Sequence, residues 1–182
     1  MSLLDDVSEV LITAEEIQAK TAELARQISA DYEGQDLLLV CILKGGMVFL
    51  ADLMRRITVP HEIDFMAVSS YGASTRSTGI VRILMDLETN IQGRNVLVVE
   101  DIIDTGRTLK YITENLRTRH PASLRICTLL NKPARRTIEI PLDYVGFEIP
   151  DEFVVGYGLD YAEVYRNLPF VGVLKPGLYN EV

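Results

Sequence analysis

The stretch from Val96 to Leu109 leaves a chain of this kind few folds to choose from. Val96-Leu97-Val98-Val99 is apolar and mostly β-branched, the composition of a strand buried on both faces, and such strands belong to parallel sheets covered by helices. Glu100, Asp101 and Asp104 follow. Thr105-Gly106 and the spacing Leu109, Ile112, Leu116 then read as a helix running from Thr105 to about Arg119. Acid therefore collects where the strand is expected to end. Just beyond it, the backbone amides from Thr105 to Thr108 are expected to point out of the first helical turn, where unpaired N–H donors and the helix dipole favour a phosphate. Because carboxylates repel a phosphate, Glu100 and Asp101 must face something else, a polyol or a metal ion.

The rest of the chain repeats this alternation. Thr13 and Glu16 form a capping box, and Ile17, Leu24 and Ile28 continue at helical spacing until Gly34. Leu37 to Leu43 reads as a buried strand, and Lys44-Gly45-Gly46 opens a helix from about Met47 to Ile57, whose apolar residues, with Arg55 and Arg56 beside them, suit either core or a subunit interface. Glu62 to Tyr71 reads as a strand interrupted by Asp64, Gly72 to Gly79 as a small polar loop, Ile80 to Leu84 as its returning strand, and Leu124 to Leu130 as a further buried strand leading to Lys132-Pro133. The order implies an α/β fold: one domain with a parallel, doubly wound core over about 35–140. From about Pro141 the helical period is lost, and the run Tyr144 to Tyr161 is expected to form short strands and loops, a hood over the ligand edge together with the N-terminal segment. Lys44, Glu100 and Lys132 each follow a predicted strand, so three loops should converge at the carboxyl edge, where sheets of this type bind ligands.

Composition excludes several classes. At 182 residues, 48% hydrophobic and 24% charged, the chain can bury a sizeable core. A net charge of −8 opposes a broad nucleic-acid or membrane surface. Cys41 and Cys127 lie apart in apolar runs and read as buried, reduced thiols. With no signal-like or membrane-length apolar run, a cytoplasmic location is expected. No GxGxxG follows a strand, which argues against a dinucleotide-dependent dehydrogenase.

The run Glu100 to Gly106 resembles the 5-phosphoribosyl-pyrophosphate (PRPP) loop of the type I phosphoribosyltransferases. Leu43-Lys44-Gly45-Gly46, Ser69-Ser70-Tyr71-Gly72, Lys132-Pro133, Val145 to Tyr161 and Arg166 extend the resemblance over most of the chain and narrow it to the hypoxanthine-guanine branch. Arg107 departs from the residues familiar there, which leaves its amide rather than its side chain to act. The resemblance implies transfer of phosphoribose from PRPP to a 6-oxopurine with loss of pyrophosphate, Mg²⁺ as cofactor, and a homodimer or homotetramer. It implies that Glu100 and Asp101 meet the ribose and metal with Asp160 nearby, and that the backbone from Ile103 through Asp104, Thr105, Gly106, Arg107 and Thr108 cradles the 5′-phosphate. Lys44, the Gly45 amide and Arg166 would meet pyrophosphate at a cis Leu43–Lys44 peptide, and Ser69 and Tyr71 would open a lid over 72–79.

Physical reasons accompany the remaining roles. Asp104 can take the purine N7 proton, an effect of about 10²–10⁴ in rate; as an Asp before Thr-Gly it also suits a helix N-cap. The Lys132 ammonium only donates, so it fits a 6-oxo group and not a 6-amino group. Phe153 offers a stacking face worth about 1–3 kcal/mol to a base, and carbonyls near Val154 and Asp160 could accept from purine N1 or N2. Two other readings stay open on these residues: a PRPP-responsive regulator of nucleic acid, disfavoured by the charge, and a transferase for another base.

Overall fold

The computed structural model describes residues 2–70 and 81–179. Its centre is a six-stranded sheet in the order β4-β3-β2-β5-β6-β7. The strands are β2 (Leu38–Leu43), β3 (Glu62–Ser70), β4 (Val81–Met85), β5 (Asn95–Ile103), β6 (Ser123–Asn131) and β7 (Tyr144–Glu148). All neighbours pair in parallel except β4, which returns antiparallel along the edge of β3. Helices α1 (Ala14–Asp31) and α2 (Gly46–Met54) cover one face and α3 (Arg107–Arg117) the other.

Strand periodicity explains the two layers. In β2, Leu39 and Cys41 pack with Ile17, Leu24 and Ile28 of α1 and Phe49, Leu50 and Leu53 of α2, whereas Leu38, Val40 and Ile42 pack with Leu109, Ile112 and Leu116 of α3. In β5, Leu97 and Val99 join the first group and Val96 and Val98 the second. Side chains alternate across a strand, so a strand covered on both faces must be apolar throughout. The doubly wound α/β core read from the sequence is the one found. The α1 capping box is present as well, with the Glu16 amide donating to Thr13 Oγ1 at 3.2 Å and the Thr13 amide to Glu16 Oε2 at 2.8 Å.

Three expectations need correction. β5 does not end at the acids; it continues through Glu100 and Asp101 to Ile103, because β6 keeps pairing with it as far as Ile103 opposite Asn131. β2, the neighbour on its other side, stops pairing at Val99, and that side is left to the loop after β2. Second, α3 begins at Arg107 rather than Thr105, after Gly106 at φ +85°. Third, Tyr144–Glu148 belongs to the core sheet as β7, so the hood begins later than Pro141.

The hood is a separate three-stranded antiparallel sheet, β1 (Val7–Ile12), β9 (Val171–Leu174) and β8 (Val154–Val155), in that order. It ties the N-terminal segment to the end of the chain. No helix among the described residues is long and apolar enough to cross a membrane. Cys41 and Cys127 are buried and free, and burial raises both thiols, Cys41 to about 12.

Candidate active site

The site grows from the point where β2 and β5 separate. The Leu43–Lys44 peptide is cis, and Gly45 and Gly46 turn the chain into α2 directly over the end of β5. A Cβ on Gly45 would stand 1.7 Å from Asp101 Oδ2, and one on Gly46 3.2 Å from the Val99 carbonyl. Only glycine lets the loop lie this close. Asp101 is held below by its own backbone, accepting the Ile102 amide at 2.8 Å. From above, Gly158 of the hood closes on the same loop: at φ +101°, a Cβ there would meet the Gly45 carbonyl at 2.2 Å.

Burial makes the acid pair costly in charged form. Glu100 is 8% exposed; that burial, with the neighbouring Asp101 charge, pushes its carboxyl well above the ordinary range. Asp101 is raised to about 6, first by burial and against the pull of the Ile102 amide and the Arg166 guanidinium. Two adjacent carboxyls destabilised in this way call for a positive partner.

Beside them a cavity of about 150 Å³ is lined by Glu100, Ile102, Ile103, Asp104, Thr105, Gly106, Thr108 and Leu109. The first intrahelical bond of α3 runs from the Lys110 amide to the Gly106 carbonyl, so the amides ahead of it have no partner within the helix. Thr105 is fixed from behind, its carbonyl accepting the amides of Thr137 and Ile138 at 3.1 and 3.2 Å. Gly106 cannot carry a side chain, since a Cβ would stand 2.8 Å from the Ile138 carbonyl. The cavity thus lies at the start of α3, where first-turn amides without an intrahelical partner favour an anion.

A second cavity, about 310 Å³, is lined by Asp104, Lys132, Arg135, Asp151, Glu152, Phe153 and Tyr179. Asp104 belongs to both cavities. Lys132 follows β6, its amide bonded to the Ile103 carbonyl at 3.0 Å, and it is 8% exposed, so it is not the solvated loop lysine its type suggests. Phe153 stacks on Tyr179 with centroids 4.7 Å apart and meets Tyr161 edge-on at 5.7 Å. Arg135 Nε donates to Asp104 Oδ1 at 3.2 Å and lies 3.8 Å from Asp151.

The other sequence-predicted residues fall into place unevenly. Lys44, Arg166 and Asp160 gather with Glu163: Lys44 Nζ and Arg166 Nη2 both reach Glu163, Arg166 Nη2 lies 2.8 Å from Asp160 Oδ1, and Arg166 Nη1 donates to the Gly158 carbonyl at 2.7 Å. Asp160 therefore stands with the cations and does not line the Lys132–Phe153 cavity. The Val154 side chain is packed into the core, leaving only its backbone to serve a ligand. Ser69 is in β3 opposite Arg82 of β4, at the base of the hairpin; Tyr71 and the expected lid over 72–79 lie outside the described residues. Arg107 is exposed, and its amide donates to Thr105 Oγ1 at 3.4 Å. Arg135, Tyr179 and Glu163 were not singled out from the sequence, and Gly158 figured only within the run Tyr144 to Tyr161.

Comparisons with known proteins decide the family. The family described as phosphoribosyl transferase domain matches residues 11–162. The chain belongs to that family. It is 55% identical over 182 residues to a hypoxanthine-guanine phosphoribosyltransferase of Mycobacterium avium, covering 97% of this chain and 90% of the relative. It is 51% identical over 176 residues to one of Streptococcus thermophilus, covering 97% and 98%. A crystal structure of a hypoxanthine phosphoribosyltransferase from Staphylococcus aureus superposes with a TM-score of 0.93 at 54% identity, covering 97% of this chain and 96% of that one. This phosphoribosyltransferase thus carries its family's mixed α/β domain with a central, mostly parallel sheet, and the two cavities sharing Asp104 open at the carboxyl edge of that sheet.

Proposed function

We propose that this phosphoribosyltransferase transfers the 5-phosphoribosyl group of PRPP to hypoxanthine or guanine, a purine-salvage reaction that releases pyrophosphate. The observation that carries the reading is Asp104, common to a smaller cavity at the start of α3 and a larger one lined by a buried lysine and an aromatic face. In this reading the 5′-phosphate occupies the smaller cavity along Ile103 to Thr108, Glu100 and Asp101 face the ribose hydroxyls, and Lys44, the Gly45 amide and Arg166 receive the pyrophosphate. The base lies in the second cavity against Phe153, with Lys132 donating to its 6-oxygen and the backbone near Val154 accepting from N1 or N2. Asp104 stands between base and sugar and takes the N7 proton as the glycosidic bond forms.

Mg²⁺ fits the residues present. Among the described residues no three acidic, histidine or cysteine side chains gather into a cage, but Mg²⁺ is ordinarily held by one or two carboxylates with water and substrate phosphates. Glu100 and Asp101, whose charged forms burial disfavours, would hold it, with Asp160 nearby. When bound, it supplies counter-charge to the pyrophosphate.

We infer an assembly of two or four copies. Phe49, Leu50 and Leu53 of α2 are spent on the core, which leaves Met47, 51% exposed, as its exposed large apolar side chain; light scattering of the purified protein checks the stoichiometry. The test of the activity is a spectrophotometric assay with PRPP, Mg²⁺ and each of hypoxanthine, guanine, xanthine and adenine. Nucleotide formation is expected with hypoxanthine and guanine, and efficient use of adenine would remove Lys132 as the selector.

A further inference from the structure

The two side chains assigned here to pyrophosphate share a single carboxylate. Lys44 Nζ lies 3.1 Å from both Oε1 and Oε2 of Glu163, and Arg166 Nη2 donates to Glu163 Oε2 at 3.2 Å. Arg166 is anchored independently, through Gly158 and Asp160, and its Nε is buried without a partner among the described residues. Glu163 is delivered by an unusual turn. Ala162, Glu163 and Tyr165 have φ of +51°, +66° and +77°, and the Glu163 amide donates to Asp160 Oδ2 at 2.9 Å. Non-glycine residues enter the left-handed region at a cost, and a run of them marks a turn whose shape the surrounding fold enforces.

We propose that Glu163 is an internal competitor of pyrophosphate. It neutralises and orients Lys44 and Arg166 until a pyrophosphate group displaces it, and it returns to them as the product leaves. The inference rests on the assignment of Lys44 and Arg166 to pyrophosphate. A carboxylate cannot stay about 3 Å from both cations while a polyanion occupies them, because like charges at that range repel strongly. The contact is also weak enough to be exchanged. Lys44 and Glu163 side chains are 66% and 64% exposed, and ion pairs so placed are held loosely. A buried pair would have locked the site; an exposed one sets its affinity.

Isothermal titration of inorganic pyrophosphate in the presence of Mg²⁺ tests this with wild type, Glu163→Gln, Glu163→Ala and Lys44→Met. Both Glu163 variants are expected to bind pyrophosphate about threefold to tenfold more tightly than wild type, by an amount that shrinks as salt is added. A role confined to shaping the turn would lower the melting temperature and leave affinity unchanged or poorer. Equal or weaker binding by both Glu163 variants, with Lys44→Met impaired, overturns the competitor and leaves the pyrophosphate assignment intact. Undiminished binding by Lys44→Met, or no binding by wild type, overturns the assignment and the competitor with it.

Discussion

Single residues at this site work under tight steric terms, and Gly45 shows how tight. An alanine there would place its methyl 1.7 Å from Asp101 Oδ2 and 2.6 Å from Cγ, so the carboxylate would have to swing away from its bond to the Ile102 amide. Displacements of this size at a reacting centre cost about 10²-fold. Gly45→Ala is therefore expected to lower kcat/KM for PRPP by about that factor with an unchanged far-UV circular dichroism spectrum, since α2 begins beyond it. Asp104 makes a different prediction, because it lines both cavities and, among the described residues, its only ion pair is the half-exposed contact to Arg135. Asp104→Asn keeps shape and removes the proton acceptor, so kcat should fall about 10²–10⁴-fold while PRPP affinity, read by calorimetry, is held. Loss of affinity with turnover preserved would make Asp104 a structural residue.

At the level of elements, the sequence speaks most clearly where burial is complete. β2 and the first half of β5 are continuous apolar runs because helices cover both their faces. β7 hid for a local reason: Gly146 reads as a loop residue, yet it is glycine because a Cβ would stand 2.4 Å from the Leu129 carbonyl of the neighbouring strand. The continuation of β5 through Glu100 and Asp101 depends on where β2 and β6 stop pairing, which no local pattern encodes. Asp64, the residue that broke the pattern of β3, is a clamp. It is 8% exposed, and its Oδ1 accepts the Phe65 amide while Oδ2 accepts those of Glu88 and Thr89 at 3.1 and 2.8 Å, tying β3 to the segment after β4. Burial raises its pKa, but these amides outweigh it and the net value lies below the ordinary range. A group whose folded pKa is depressed stabilises fully above its unfolded pKa and loses that contribution as pH falls through the folded one. Asp64→Asn should therefore cost about 2–3 kcal/mol at neutral pH. In melts run from pH 7 downward, the gap to wild type should close below about pH 4; a gap independent of pH would mean the carboxylate charge contributes nothing.

Across the whole molecule, the active site is a seam between two sheets, and the contacts closing that seam join residues remote in sequence. Glu163 on Lys44, Gly158 over Gly45 and Tyr157 on Asp52 all cross from hood to core. This is why the acid-bearing strand and its loop were legible in the sequence while the residues that position the hood were not. The Tyr157–Asp52 contact is the one most open to test. Tyr157 is 4% exposed and donates from its hydroxyl to Asp52 Oδ2 at 2.7 Å. Asp52 also receives Gln18 and Arg55, so it keeps partners if the hydroxyl is removed. Tyr157→Phe deletes only the tie. Losing one hydrogen bond to a charged acceptor costs about 1.5–3 kcal/mol, and for a chain of this length each kilocalorie lowers Tm by about 2–4 °C. Because Tyr157 immediately precedes Gly158, the same change loosens the hood over the Lys44–Gly45 loop. KM for PRPP should accordingly rise more than kcat falls, since the binding edge is disturbed while Asp104 is not. A lowered Tm with unaltered KM would show that Gly158 holds the loop without help from Tyr157, and that the seam is set by the backbone of the hood alone.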